Sequence, residues 1–477
     1  MVSIIHDQSI MYPGEEDFYS PDEAFPEYPF DHISNSQNNV YRAVRDCFNQ
    51  AGLDSTRFGT PEWNPLGIYI QPGKKVFILC NFVYHQREFE TLDTFWSKCT
   101  HGSVLRAIID YVIIAAGKEG SVNFGNAPLQ SCNWDKVLKA TGASSVLEFY
   151  KKNNQNVQAL DLRLFVAERT ALGNISDYKK RDEAGSVSID LGKDSLLDEL
   201  YQLHPNQLFR VSDYNPERIH QFHGREKHIY VINKQILEAD VVFSVPKLKT
   251  HEKVGITCNL KGFVGTIGHK DCLAHHRFGD GREGGDEYPE RKIFQRYISK
   301  FHDWVYARKI DRMQPILQII DRSVRRLYNK LGFIQAGAWQ GNDTAWRMSL
   351  DIARIIHYGK LNGEMSNEKQ RVNLSMIDGI IAGEGKGPLS PSPVKSSVLA
   401  FSDNVAIGDR IACQLMGYDF MKIPLIRKSF HPIKYRIASE KDEASLSEIC
   451  LNKKITSEKS VAPIIGRSFI PPTNWNL

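Results

Sequence analysis

Paired cysteines are absent from this sequence, although cysteine itself is not rare. The eight cysteines stand singly along the chain and form no CxxC pair. Their spacing therefore offers neither a disulfide framework nor a thiolate site for zinc or for an iron–sulfur cluster. We expect reduced thiols with mainly structural roles, and no iron–sulfur cofactor. Their positions are 47, 80, 99, 132, 258, 272, 413 and 450.

Long apolar runs and a strong excess of one charge are also missing. No stretch of about 18 uninterrupted apolar residues occurs, and the first twenty residues lack the basic and apolar regions of a signal peptide. The net charge is only +4 over 477 residues, whereas nucleic-acid binding usually needs a concentrated basic face. These absences predict a cytoplasmic protein with no membrane span and no nucleic-acid partner.

The composition is that of an ordinary folded protein. Hydrophobic residues make up 42% of the chain and charged residues 24%, which is near the globular average. A chain of this length can hold two or three domains, or one large α/β body with insertions. Changes in composition divide it into an N-terminal arm and helix (1–65), an α/β body (66–288), a helical insertion (289–370), a return to the α/β body (371–425) and a polar, irregular tail (426–477).

Short runs rich in β-forming residues alternate with helical patterns through the body. Helical apolar spacing appears at residues 40–48, 104–116 and 405–416. Because strands that alternate with helices form covered sheets, the pattern predicts a mixed α/β fold with mainly parallel sheets covered by helices. The predicted strands are GIYI, KKVFILC, SVNFG, KHIYVI, ADVVFSV, VNLSMI and VKSSVLAF.

The helical insertion is rich in basic residues. Between Pro289 and Leu331, apolar residues recur at spacings of three or four with a break near Pro315, which predicts a helical hairpin. Residues 291–330 contain eleven Lys or Arg and three Asp. Two interpretations are open. The helices form a basic surface that contacts anionic lipid, an acidic protein or a polyanionic substrate, or they pack on the body with a solvated basic face.

The densest group of chemically active side chains lies in residues 240–276, where a strand leads directly into PKLKTH. Ligands of parallel α/β sheets bind beyond the carboxyl ends of the strands. Lys247 and Lys249 are two residues apart, so on an extended chain they share a side and could hold a phosphate or carboxylate. His251 is then available as a proton carrier, and Lys261 follows in a glycine-rich stretch. The alternative is that these are ordinary surface lysines.

Three histidines in the same region could bind a divalent metal. His269, His275 and His276 have Asp271, Asp280 and Asp286 nearby, and imidazole and carboxylate groups suit zinc, nickel, iron or manganese. The spacing matches no closed ligand set. Adjacent histidines point to different faces of regular structure, so we expect at most one of His275 and His276 to join His269. The alternative roles are catalysis, substrate binding or simple exposure.

Two further segments and one asparagine complete the candidate site. In WQGNDTAWRMSLD, residues 339–351, Asp343 and Arg347 are four apart and could pair on a helix or bind an anion, and the segment is equally a helix start. In DGIIAGEGKGP, residues 378–388, we expect a glycine-rich loop whose Asp378 and Glu384 contact a polar ligand, unless the glycines only serve a tight turn. Asn81 ends the first strand and would lie on the same edge.

Several of these segments together resemble the family called domain of unknown function three-six-two. They are GKKVFILCNFV, GNAPLQS, ADVVFSVPKLKTH with NLKG after it, and DGIIAGEGKGP followed by AIGDRIACQLMGYD, and they span about residues 66–420. The arm and WQGNDTAWR resemble a longer branch that tends to be encoded among bacterial surface-polysaccharide biosynthesis genes. Many members carry a ferredoxin-like cysteine module, which this chain lacks. Where the family often has a lysine before the asparagine of its first strand, this chain has Cys80 before Asn81.

A fainter similarity is to the nickel-pincer lactate racemase superfamily, with Lys249, His251, Lys261 and His269 in matching order. It implies proton or hydride removal at a hydroxyl-bearing carbon. The sequence thus predicts an enzyme of carbohydrate or surface-polysaccharide biosynthesis with an anionic or sugar-derived substrate and racemase-like, metal-assisted chemistry. Alternatives are a non-catalytic protein that docks on a membrane or protein through 291–330, and a redox accessory protein. The predicted catalytic residues are His251, Lys261, His269 and Glu384; the predicted substrate-binding residues are Asn81, Lys247, Lys249, Asp343, Arg347 and Asp378.

Overall fold

The computed structural model describes residues 1–169, 175–181, 185–204, 208–212, 214–290, 294–308 and 313–477. Within these residues the chain forms a large mixed sheet, three small sheets and helices on both faces of the large sheet. The strands are β1 (Val2–His6), β2 (Lys75–Cys80), β3 (Ser121–Asn126), β4 (Val157–Asp161), β5 (Phe165–Arg169), β6 (Ile175–Lys180), β7 (Ser186–Asp190), β8 (Phe209–Arg210), β9 (His223–Gly224), β10 (Lys227–Asn233), β11 (Val241–Val245), β12 (Lys247–His251), β13 (Gly255–Ile256), β14 (His276–Arg277), β15 (Val372–Glu384), β16 (Ser392–Ser402), β17 (Ile449–Leu451) and β18 (Lys454–Thr456).

The helices begin with α1 in the N-terminal segment and continue to α14 near the carboxyl end. None of the helices that the structure describes has both the length and the apolar character needed to cross a bilayer. The helices are α1 (Asn39–Gln50), α2 (Leu92–Trp96), α3 (Gly102–Ala116), α4 (Trp134–Thr141), α5 (Ala143–Lys152), α6 (Asp198–Leu203), α7 (Lys234–Glu238), α8 (Cys258–Gly262), α9 (Gln295–Ala307), α10 (Gln314–Lys330), α11 (Ala345–Tyr358), α12 (Val405–Leu415), α13 (Pro424–Ser429) and α14 (Glu440–Ala444).

The central sheet has the order β18-β17-β1-β16-β15-β11-β2-β3-β4, with β12 and β13 attached beside β15. The pairs from β15 through β11, β2 and β3 to β4 are parallel, whereas β16 runs antiparallel to both β15 and β1. Along β2, Val76 and Ile78 enter one apolar core, and Phe77 and Leu79 enter the other. The alternation of side chains along a strand therefore buries both faces of the sheet. This is the predicted α/β fold, with a mainly parallel sheet covered by helices.

Several predicted elements are present, and others differ from the prediction. The helical patterns at 40–48, 104–116 and 405–416 lie in α1, α3 and α12, and the runs at the heart of the sheet form β2, β3 and β11. The run GIYI forms a turn and no strand. The final segment, expected to be irregular, adds β17 and β18 to the sheet edge beside β1, which comes from the N-terminal arm.

The glycine-rich segment 378–388 is not the expected loop, because its first half continues β15 as far as Glu384. The residues after Pro246 form β12, which lies parallel to this extension of β15. A Cβ on Gly383 would come within 2.8 Å of the Ser97 carbonyl oxygen, and one on Gly387 within 2.0 Å of the Thr250 carbonyl oxygen. The glycines therefore allow neighbouring backbones to approach closely, which explains them without a ligand.

Candidate functional site

A cavity of about 790 Å³ lies at the carboxyl ends of the parallel strands. Asn81 follows β2 and Asn126 ends β3, so both reach the cavity from the edge of the sheet. His251 ends β12, and Lys261 is the fourth residue of α8. Helix α10 and residues 332–336 form another part of the wall. The cavity thus lies where ligands of parallel α/β sheets bind, as the sequence predicted.

The lining of the cavity is strongly basic. Among the described residues, Glu252 is the only acidic residue in the lining. Two histidines, His251 and His275, also line the cavity. A concave surface with one sign of charge raises the local concentration of the opposite ion. The cavity is therefore suited to an anionic ligand with more than one negative group. The basic lining residues are Lys253, Lys261, Lys270, Arg322, Arg325, Arg326 and Lys386.

Lys261 is the most unusual of these residues. Its side chain is only 8% exposed, and no described residue accepts a hydrogen bond from its Nζ or pairs with it as a carboxylate. Burial, together with the smaller effect of the neighbouring Lys253 ammonium, lowers the pKa of Lys261 to about 7. An ammonium in such a position lacks the counter-ion that buried charges usually have. A bound anion would supply it.

In both His251 and His275 the nitrogen left for chemistry is Nε2, but its protonation differs between the two rings. The backbone N–H of Lys253 donates to Nδ1 of His251 at 3.1 Å, so in neutral His251 the proton lies on Nε2. In His275, Nδ1 lies 3.0 Å from the Leu273 carbonyl oxygen and must donate to it, which leaves Nε2 as an acceptor. Burial lowers the pKa of both imidazoles, as does the Lys261 charge beside both rings. Both rings are therefore neutral at pH 7, one as a donor and the other as an acceptor.

Lys270 lines the cavity, and Lys249 lies behind it. Lys270 Nζ donates to the Ala127 carbonyl oxygen at 2.7 Å. Lys249 Nζ donates to the Asn81 side-chain oxygen at 2.5 Å and to the Lys98 carbonyl oxygen at 2.6 Å. Lys249 thus orients the Asn81 side chain. The Nδ2 amide group of Asn81 remains able to donate a hydrogen bond to a ligand. Burial lowers the pKa of both lysines to about 7.

Lys247, predicted to share an anion with Lys249, is bound elsewhere. Its Nζ lies 2.9 Å from Oδ2 of Asp378, and both side chains are fully buried. The Tyr12 hydroxyl accepts from Lys247 and donates to Oδ1 of Asp378 at 2.5 Å, and Tyr12 stacks on His101. Neither Lys247 nor Asp378 lines the cavity. Their geometry is that of an internal ion pair, in place of the expected contact with substrate.

Glu384 also lies outside the cavity. Its carboxylate accepts two hydrogen bonds from Arg467, at 2.8 and 3.0 Å, and one from the Ile470 backbone N–H at 2.8 Å. These contacts hold residues of the C-terminal segment against the end of β15. Glu384 therefore has a structural environment, whereas the sequence predicted a catalytic one.

Asp343 and Arg347 pair as the sequence predicted, with Nη2 of Arg347 3.1 Å from Oδ2 of Asp343. Nη1 of Arg347 also donates to Glu199 at 2.6 Å and to the Leu196 carbonyl oxygen at 3.0 Å. The guanidinium is thus shared between two carboxylates and does not line the cavity. This arrangement fixes the start of α11, and the predicted role in anion binding has no geometric support.

The three histidines predicted to bind metal are not brought together. His269 packs between Phe165 and Phe222, with both ring centroids 5.0 Å away. His276 lies in β14 and is buried, and only His275 of the three lines the cavity. Across the part of the chain that the structure describes, no three His, Cys, Asp or Glu side chains form a group that could hold a metal ion.

Most of the basic lining is not among the predicted site residues, although its three arginines belong to the basic segment 291–330, for which contact with a polyanionic substrate was one interpretation. Arg322, Arg325, Arg326 and Asn329 recur at spacings of three and four on α10, which places them on one side of the helix. That spacing was visible, but it did not indicate that this side would face the sheet. Lys253, Lys270 and Lys386 are near the predicted residues in sequence, yet they lie in a turn, a short 3-10 helix and a bend, whose direction no periodic pattern specifies.

Comparison with known proteins supports one of the resemblances. The family model described as Domain of unknown function (DUF362) matches residues 154–414, which are 261 of the 477 residues. The match includes β12, α8, the predicted histidines, α10 and β15. No curated protein matches the chain. The basic cavity is thus built largely from the matched segment, and the chain belongs to the domain of unknown function family DUF362.

Proposed function

We propose that this protein is a cytoplasmic enzyme that binds a small, multiply anionic, sugar-derived molecule in the basic cavity and moves a proton at one of its carbon atoms. The observation that carries the proposal is Lys261, a buried ammonium on the wall of that cavity with which no carboxylate of the described residues pairs. The resemblance to a branch encoded among surface-polysaccharide genes supports a substrate such as a sugar acid or sugar phosphate.

Binding follows from the charges of the wall. A phosphate or carboxylate beside Lys261 and Lys270 would pair two ammonium groups that burial has brought to a pKa of about 7. Each charge-assisted hydrogen bond contributes about 1.5–3 kcal/mol. Arg322 and Arg326 of α10 could hold a second anionic group, because a guanidinium binds carboxylate and phosphate oxygens with two parallel N–H donors.

The chemistry follows from the two histidines. His275 offers an unprotonated Nε2, which can remove a proton from a carbon next to a carboxylate or carbonyl group. The electron pair of the broken C–H bond then moves into that group, where the Lys261 ammonium stabilises the oxygen's negative charge. His251, with its proton on Nε2, can donate a hydrogen bond to the same oxygen, and the Lys261 ammonium, with a pKa of about 7, can give a proton to the carbon and become a neutral amine. Return to the opposite face inverts the carbon, which is racemase or epimerase chemistry.

The scheme contains no step on a metal. Near Lys261 the described residues offer His251 and His275 as metal ligands, and no group of three ligands is formed. The similarity to the nickel-pincer racemase superfamily supports the reaction class through Lys261 and His251. Its further residue His269 lies outside the cavity, and Lys249 acts behind Asn81.

Exchange of substrate hydrogen with solvent deuterium tests the proposal. The protein is incubated in D₂O with hydroxy acids, uronic acids and sugar phosphates, and proton NMR follows the loss of each C–H signal. We expect exchange with at least one anionic compound, and its abolition in His275→Gln and His251→Ala without unfolding. The exposed His431→Gln is the matched control. Exchange that persists at the wild-type rate in both cavity variants contradicts the assigned roles.

A further inference from the structure

The hairpin of α9 and α10 has its apolar side chains on the outside. The buried residues of α10 are Gln314, Gln318 and Asp321, all polar, and those of α9 are Gln295 and Val305. Helices that only pack on a protein body have the reverse arrangement. The exposed apolar residues, with exposed fractions of 41–68%, are Phe294, Tyr297, Trp304, Met313, Ile316, Ile319, Ile320, Leu327 and Leu331.

Helix α10 has an exposed apolar side and another side that lines the cavity. Ile316, Ile320, Leu327 and Leu331 recur at intervals of four, seven and four residues, so they share one side at 100° per residue. The five residues that line the cavity are displaced from them, Arg326 by about a third of a turn and the other four by about half a turn. They are Gln318, Arg322, Arg325, Arg326 and Asn329. The apolar side is therefore turned away from the candidate site.

Polar contacts, in place of an apolar seam, join the hairpin to the body. Ser299 of α9 donates to Glu287 at 2.6 Å, and Nε2 of His302 lies 3.1 Å from the Ser212 carbonyl oxygen. Arg325 donates to the Gln335 side chain at 2.9 Å. The apolar surface is thus not required to attach the helices, and it remains available for another contact.

The charges around this surface indicate what covers it. Outside the cavity lining, the described residues 294–308 and 313–331 contain four basic residues, Arg296, Lys300, Arg308 and Lys330, against Asp303 and Asp321. Tyr297 and Trp304 are exposed beside the apolar row, and such rings are enriched where a protein enters the interface of a bilayer. If a second copy packed on the same surface, the symmetric contact would place basic residues against basic residues. An anionic lipid surface, in contrast, complements both properties.

We propose that the outer side of the α9–α10 hairpin lies on an anionic membrane surface, with the apolar side chains in the headgroup region and Lys300 and Lys330 against lipid phosphates. The docking is peripheral, because the helices lie along the surface. It goes beyond the proposed enzymatic function and does not depend on it.

Co-sedimentation of the full chain with phosphatidylcholine vesicles, prepared with and without phosphatidylglycerol, tests the proposal. We expect binding only to the vesicles that contain phosphatidylglycerol, and its loss as salt increases. Ile320→Gln combined with Leu327→Gln should weaken binding at least tenfold, because two apolar anchors are removed. Lys300→Glu combined with Lys330→Glu should weaken it by a similar factor, since each basic residue near an anionic surface contributes about fivefold.

The matched controls are Ile455→Gln and Lys118→Glu, which alter an exposed isoleucine and an exposed lysine far from the hairpin in sequence. They should bind as the wild type does. Brominated acyl chains should quench a fluorescence component that Trp304→Phe removes. Equal binding to neutral vesicles, no binding at low salt, or a wild-type dimer that the Ile320/Leu327 variant dissociates would each overturn the proposal.

Discussion

Lys247 and Asp378 form an ion pair without solvent exposure, in which Nζ of Lys247 lies 2.9 Å from Oδ2 of Asp378. Removing one partner of a buried pair leaves the other charge uncompensated. Lys247→Met should therefore lower the free energy of unfolding by about 3–5 kcal/mol. Urea unfolding followed by circular dichroism measures the difference.

The double variant Lys247→Met with Asp378→Leu is the control for this pair. It removes both charges and should lose much less stability than the single variant, because a buried ion pair gains little over apolar side chains of similar size. A Lys247→Met protein with wild-type stability and a weakened affinity for anions would instead place Lys247 in the binding site.

Substitutions of Arg322, which lines the cavity, and of Arg347, which lies outside it, should affect anion binding differently. Arg322→Ala should weaken binding of pyrophosphate about tenfold or more, since it removes a cationic donor from the lining. Arg347→Ala should leave the affinity unchanged, because its guanidinium is shared by Asp343 and Glu199 outside the cavity. Isothermal titration calorimetry measures both. An equal loss in the two variants would contradict the assignment of the cavity as the anion site.

Three buried lysines make a prediction about stability and pH. Burial lowers the pKa of Lys249, Lys261 and Lys270 from 10.5 to about 7. Between these values the unfolded chain binds more protons than the folded one, so the free energy of unfolding rises with pH. We expect an increase of roughly 2–4 kcal/mol between about pH 7 and 8.

Urea unfolding at several pH values tests this dependence. The range stops near pH 8 because of the buried thiols. A thiol such as Cys258 has a raised pKa in the folded chain, so above pH 8 it ionises more readily in the unfolded chain, and this lowers the free energy of unfolding. Lys261→Gln should remove about one third of the increase. A free energy of unfolding that is constant or falls from pH 7 to 8 would show that these lysines are not held in the described environment.

Anion binding should depend on pH in the opposite sense. Sulfate keeps its charge near neutrality, so any change in its affinity comes from the protein. Above pH 7, where free Lys261 loses its proton, the sulfate dissociation constant should rise by up to tenfold per pH unit. Calorimetric titrations at increasing pH measure the slope, which should become shallower in Lys261→Gln and keep only the share of Lys270. If the sulfate dissociation constant has the same pH dependence in Lys261→Gln as in the wild type, the proton that controls binding belongs to another group.

The parallel core of the fold follows from simple patterns. The apolar runs of β2, β3 and β11 and the period of α3 and α12 are strong enough to indicate both element type and approximate bounds. The place of Asn81 at the carboxyl edge follows from the same pattern, because parallel strands end on one side. Neighbouring strands supplied by distant residues, such as β1 beside β17, have no local signature.

The side chains of the site were harder to predict because their direction depends on tertiary contacts. Lys247, Lys249 and Lys261 are alike in sequence, yet one pairs with Asp378, one supports Asn81 and one lines the cavity. The glycine-rich segment was mistaken for a loop, since the backbone of Thr250 that demands its glycines comes from a distant part of the chain. Spacing identifies candidate residues, whereas packing decides which of them meet.

The most direct test of the anion site is the affinity of the wild-type chain and of Lys261→Gln for pyrophosphate at pH 6.5, measured by isothermal titration calorimetry. We expect the wild type to bind and the variant to bind roughly 10- to 150-fold more weakly, which corresponds to the loss of one charge-assisted contact. Lys118→Gln, at an exposed position, should match the wild type. Equal affinity in the wild type and Lys261→Gln, or no binding by the wild type, would contradict an anion site built around Lys261.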